Sequence, residues 1–91
     1  MINYVKGLIM RQKFDKNKNR TYYKDSNDVE AWMEYDKNGN MIHFKNSEGF
    51  ETWSEFDEYN NEVLFKTSHG YKLTQEFGGE GHNELISYRE E

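Results

Sequence analysis

A 21-residue repeat runs through this chain and constrains its fold more than any other feature. Asp28-Val29-Glu30-Ala31-Trp32-Met33-Glu34-Tyr35-Asp36 recurs as Gly49-Phe50-Glu51-Thr52-Trp53-Ser54-Glu55-Phe56-Asp57, and again in weaker form as Gly70-Tyr71-Lys72-Leu73-Thr74-Gln75-Glu76-Phe77-Gly78. One column of rings is Phe14, Tyr35, Phe56 and Phe77; a second runs Ile2, Tyr23, Phe44 and Phe65. Lys24, Lys45 and Lys66 follow the second column, then Ser26, Ser47 and Ser68. Four units, 7–27, 28–48, 49–69 and 70–91, follow a short leader and together make a single β-repeat domain. The last unit departs from the pattern, with Gly78-Gly79-Glu80-Gly81 at its turn and an insertion in Asn83–Tyr88. Terminal repeats deviate in this way when they cap an array.

A unit of 21 residues holds two short strands and two turns. The segments 29–35 and 50–56 are rich in aromatic and β-branched residues and lack helical spacing. Asp36-Lys37-Asn38-Gly39-Asn40 reads as a hairpin whose two-residue turn, Asn38-Gly39, supplies positive φ. Ser47-Glu48-Gly49 and Ser68-His69-Gly70 read as three-residue loops with Gly in the left-handed position. Asp28 holds that position in the second unit and tolerates it less well.

Side chains alternate faces along a strand, so turn length fixes which residues share a face. With these turns Tyr35 faces Ile42, Met33 faces Phe44, and Phe44 faces Thr52. One face then collects Ala31, Met33, Tyr35, Ile42, Phe44, Phe50, Phe56, Phe65, Leu73 and Phe77, and the other collects Glu30, Trp32, Glu34, His43, Lys45, Glu51, Trp53, Glu55, Lys66 and Glu76. Turn choice alone thus sorts the chain into an apolar and a charged face, a consistency across levels that specifies a fold. The expectation is an all-β, antiparallel up-and-down meander of about eight short strands in a twisted or curled sheet. A sheet with one apolar face needs cover, and no helical segment offers it. Curling, barrel closure and a homodimer through the apolar sheet face remain the routes.

Composition removes several classes of function. Only 34% of the 91 residues are hydrophobic, yet 16% are aromatic, so the core material is concentrated in rings. With no Cys there is no disulfide framework or thiolate chemistry. The longest apolar run, Leu8-Ile9-Met10, spans no membrane, and the N-terminus lacks the apolar stretch of a signal peptide. The expected location is the cytoplasm of a bacterial cell.

Glu34-Tyr35-Asp36-Lys37-Asn38-Gly39-Asn40 and Glu55-Phe56-Asp57-Glu58 resemble the tyrosine–aspartate (YD) repeats of Rhs-type proteins. The period extends the resemblance over most of the chain; the clear motif occupies residues 34–40. Large Rhs proteins build a shell around a toxin from hundreds of such residues. The resemblance therefore implies the strand-and-turn grammar and names no catalytic residue, and 91 residues are too few to enclose anything.

Charge is unevenly placed. Residues 1–27 carry +5, residues 28–62 carry −8 and residues 63–91 carry −2. Glu34, Glu55 and Glu76 form a ladder at one repeat position, with Trp32 and Trp53 beside it and Glu30 and Glu51 on the same face. Lys45 and Lys66 offset part of its repulsion. These seven acidic and indole residues are the candidate partner-binding surface, fitted to a protein with a basic surface; a solvated outer face is the competing reading. The basic N-terminal third includes Lys6, Lys13, Lys16, Lys18 and Arg20, but a pI of 5.2 argues against nucleic acid as the main ligand.

No catalytic residue, metal site or cofactor is expected. Asp15–Asn19 and Asp36–Asn40 echo a calcium loop but lack its Gly at position six and Glu at position twelve, which leaves turn-forming Asx residues. His43, His69 and His82 share no metal spacing, and His43 is expected opposite Glu34. Two roles follow as expectations. One is a small inhibitor from a phage or other mobile element, anti-CRISPR-like, that blocks a host nucleic-acid-handling enzyme. The other is a structural YD-repeat protein or an immunity partner of an Rhs-type toxin.

Overall fold

The computed structural model describes residues 8–91. Ile2, the head of the second ring column, Lys6 and the leader lie outside the described residues. Eight strands follow in chain order: β1 Ile9–Phe14, β2 Arg20–Asp25, β3 Glu30–Tyr35, β4 Met41–Asn46, β5 Glu51–Phe56, β6 Glu62–Thr67, β7 Lys72–Gly78 and β8 Glu84–Glu90. They form one antiparallel sheet in the order β1 to β8, each strand paired with its sequence neighbours. The meander expected from the repeat is present, and the sheet does not close into a barrel.

Among the described residues, strands touch only their immediate neighbours, so the sheet is a single layer. Its radius of gyration is 16.5 Å, against about 12 Å for a compact chain of this length. The apolar face is consequently thinly covered. Among the described residues, Ala31 (0% exposed) and Met33 (5%) are the buried hydrophobic ones, and no large side chain is fully enclosed. Met33 lies opposite Phe44 and Phe44 opposite Thr52, as the sequence indicates.

The turns correct one expectation. Gly39 N–H donates to the Asp36 carbonyl at 3.0 Å and Asp36 N–H to the Asn40 carbonyl at 2.9 Å, so the loop has three residues, 37–39, rather than two. Tyr35 consequently pairs with Met41, not Ile42. Alone, that extra residue would turn every later side chain to the wrong face. A bulge at Ile42 restores the register, and Glu34 pairs with His43 beyond it. The same shift occurs at Thr21, Val63 and Ile86 in the other three hairpins. These four bulged residues are β-branched; a further shift in the β1–β2 pair falls at Met10.

Three of these four hairpins are tied by an Asp, and the last carries Gly78 in its place. The Asp36 carboxylate accepts the backbone N–H of Asn38 (2.9 Å) and of Asn40 (3.0 Å) while Asn40 Nδ2 donates to its other oxygen (3.1 Å). Asp15 with Asn19, and Asp57 with Asn61, repeat the arrangement. These are the turn-forming Asx residues that the sequence suggested. At the opposite sheet end, Asp25, Asn46 and Thr67 play the same part in three-residue loops without a bulge. The serine column acquires a role there. Ser47 Oγ accepts the N–H of Glu30 at 2.9 Å and Ser68 Oγ that of Glu51 at 3.0 Å, each extending the pairing of the strand that the serine follows with the strand before it.

The last hairpin carries the insertion as a longer loop, with positive φ at Gly79 and His82. That loop docks back on its neighbour. His82 stacks on Tyr59 at 4.2 Å, Asn61 Nδ2 donates to the His82 carbonyl at 2.6 Å, and Asn83 Nδ2 donates to Asn61 Oδ1 at 2.8 Å.

Candidate functional site

The polar face is organised in cross-strand rows. One row runs Tyr22, Trp32, Lys45 and Glu51; the next runs Glu34, His43, Trp53, Lys66 and Lys72. Both indoles therefore lie on the charged face in the middle of the sheet, 43% exposed at Trp32 and 36% at Trp53. Each is braced by its row. Trp53 stacks on His43 (5.9 Å between centroids, 20° between planes) and lies under the Lys66 ammonium at 5.7 Å. Trp32 meets Tyr22 at 5.9 Å in a tilted arrangement, and Lys13 lies 5.5 Å from the Tyr22 ring.

The glutamates are more dispersed than their sequence column suggests. Glu34, Glu55 and Glu76 are all exposed, but they belong to β3, β5 and β7, with an intervening strand between each pair. Their cross-strand partners differ as well: His43, Leu64 and Ser87. Alternate strands lie roughly 10 Å apart, about a Debye length in physiological salt. The repulsion expected from like charges in neighbouring strands is relieved by spacing as much as by Lys45 and Lys66. The reason is topological, because one 21-residue period advances the chain by two strands.

Glu30 and Glu51 are half-buried and held in place. The Tyr22 hydroxyl donates to the Glu30 carboxylate at 2.5 Å. That donation, with partial burial and the nearby negative charge, raises the Tyr22 pKa above its ordinary 10.0. His43 bridges two carboxylates, with Nδ1 at 2.8 Å from Glu34 and Nε2 at 2.7 Å from Glu51. Both ring nitrogens donate only in the imidazolium form. The hydrogen bonds to Glu34 and then Glu51 raise the His43 pKa above 6.5, against the opposing effect of burial. The expected His43–Glu34 pair is present; the Glu51 contact was missed. It follows from the three-residue loop at Ser47–Gly49, which sets His43 opposite Trp53 and therefore diagonal to Glu51. Tyr22 was missed as a member of the aromatic row for the same kind of reason.

Among the described residues, no group of three or more His, Asp or Glu side chains is placed to hold a metal ion, and no helix is long and apolar enough to cross a membrane. The described part of the basic N-terminal third is split between the polar face (Arg11, Lys13, Lys24) and the β1–β2 loop (Lys16, Lys18). Arg20 turns to the Tyr23 ring at 4.7 Å.

The sequence matches no protein-family model and no curated protein.

Proposed function

We propose that the chain is a non-enzymatic protein-binding module that works through its polar face. Trp32 and Trp53 act as anchors and Glu30, Glu34, Glu51, Glu55 and Glu76 as a surrounding acidic field. The observation that carries this reading is the placement of two part-exposed indoles on the charged face, on β3 and β5 with one strand between them. Trp is the residue most enriched at binding hot spots. The bracing of each indole by a row neighbour lowers the entropy lost when a partner immobilises it.

The partner class that fits is a protein with a basic surface, such as the cationic channel of a nucleic-acid-handling defence enzyme. In that setting the module is a small anti-CRISPR-like inhibitor of phage or mobile-element origin, working in the bacterial cytoplasm. The glutamates steer association and the indoles supply the contact.

A pulldown from bacterial lysate, read by mass spectrometry at low and high salt, tests the reading. Capture of a basic protein is expected, with loss at high salt. Glu34→Lys combined with Glu55→Lys should abolish capture and leave the β-sheet circular dichroism intact. Undiminished capture by that folded double variant refutes the role of the face.

A further inference from the structure

The opposite face poses a separate problem, and it is solved independently of what the polar face binds. Tyr35, Phe44, Phe50, Phe56, Phe65 and Leu73 form a continuous apolar surface, none of them buried, in a sheet without a second layer. We propose that this face is covered by the same face of a second copy, giving a two-layer homodimer with β4 and β5 at its centre.

Size is the first argument. Eight strands about 4.8 Å apart and about 20 Å long present roughly 650 Å² per copy, or roughly 1,300 Å² buried in total, inside the range of stable protein interfaces. Charge is the second. The charged residues in register with this face, Arg20, Asp25, Glu62 and Glu90, all stand at strand ends. The centre is occupied by Met33, Phe44, Thr52, Ser54, Phe65 and Leu73, so nothing on it repels an identical surface or calls for a charged one. Pitch is the third. The ring columns recur every second strand, roughly every 10 Å, and a copy of the same sheet carries ridges and grooves of that spacing. Two such sheets stack at about 10 Å with strands inclined by about 30°, and β4 and β5, in mid-order, lie nearest the two-fold axis.

Sedimentation equilibrium of the full chain tests this. The expected mass is twice 11.0 kDa at about 100 μM, above the micromolar limit for interfaces of this size. Raising salt should leave the dimer intact, because apolar burial is not screened, whereas polar-face binding weakens. Phe44→Lys should convert the dimer to monomer. If that variant unfolds, a pair of single cysteines keeps the test open in a chain that has none of its own. Ser54→Cys, on the apolar face, should be joined between copies by a bis-maleimide with a spacer of about 10 Å, the spacing of stacked sheets, which is too wide for a direct disulfide, and Glu55→Cys, on the polar face, should not. A monomer at 100 μM overturns the proposal, whether or not a lipid surface or another protein then binds the face. So does a dimer in which Glu55→Cys cross-links as readily as Ser54→Cys.

Discussion

The repeat supplies its own control for a stability prediction at the third loop residue. Asp28, Gly49 and Gly70 occupy equivalent positions and all have positive φ: 62°, 89° and 95°. A non-glycine L-residue pays about 1–2 kcal/mol for that conformation. Replacing it with Gly removes the strain but adds about 0.5–1 kcal/mol of unfolded-chain entropy to be lost on folding. The Asp28 carboxylate makes only a 3.4 Å ion pair with Lys24 at an 88% exposed site, which contributes little. Asp28→Gly should therefore stabilise by about 0.5–1 kcal/mol and raise Tm by about 3–6 °C for a domain of this size. Gly49→Ala should lose a similar amount. A Cβ at Gly49 would meet nothing within 4 Å, so no steric or packing effect obscures the backbone effect. Circular-dichroism melts at one fixed protein concentration, with urea midpoints at unchanged m, are the measurements. A lower Tm for Asp28→Gly, or an unchanged one for Gly49→Ala, refutes the assignment of these loops.

Two further predictions concern the two faces. The His43 pKa is raised in the fold, so its contribution to stability is complete below the unfolded value near 6.5 and is lost as pH rises through the folded value. Urea midpoints should fall as pH rises above about 6.5, and His43→Gln should flatten that slope; a slope unaltered by the substitution contradicts the bridge. Met33 is 5% exposed and Met10 62%, so Met33→Ala should cost about 2–5 kcal/mol, while Met10→Ala stays within about 0.5 kcal/mol in equilibrium unfolding.

The Asp turns show how local chemistry was legible without tertiary information. Asp15 and Asp36 are held below the usual carboxylate range, chiefly by backbone N–H donation from Asn19 and Asn40. At Asp57 partial burial works hardest in the other direction, and the donations from Asn61 and Tyr59 still outweigh it. Each of these interactions spans four residues or fewer, which is why the Asp-x-x-x-Asn spacing announced them. The same is true of the left-handed loop positions.

The candidate site was legible in its residues and illegible in its connections. Trp32 and Trp53 were assigned to the polar face from parity alone, and that parity survived a wrong turn length. The Asn38-Gly39 loop has one more residue than expected, the bulge at Ile42 adds another, and the two omissions cancel. The β-branched column Thr21, Ile42 and Val63 was the signal for the bulge, although a bulge belongs to two strands and no single strand pattern specifies it. The His43–Glu51 contact and the dispersal of Glu34, Glu55 and Glu76 likewise depend on how neighbouring strands are offset.

The sequence by itself determined the number of strands, the position of the turns and the sorting of side chains into two faces. Those properties rest on period-two alternation and on turn chemistry within a few residues. Only the tertiary structure decided the pairings beside the bulges, such as Tyr35 with Met41, and the diagonal contacts, such as His43 with Glu51, because these depend on loop closure and bulges together. It also decided that the sheet stays open and single-layered. Strands joined only to their sequence neighbours pair their edges and leave their faces without a second layer, so the apolar face is covered only in part.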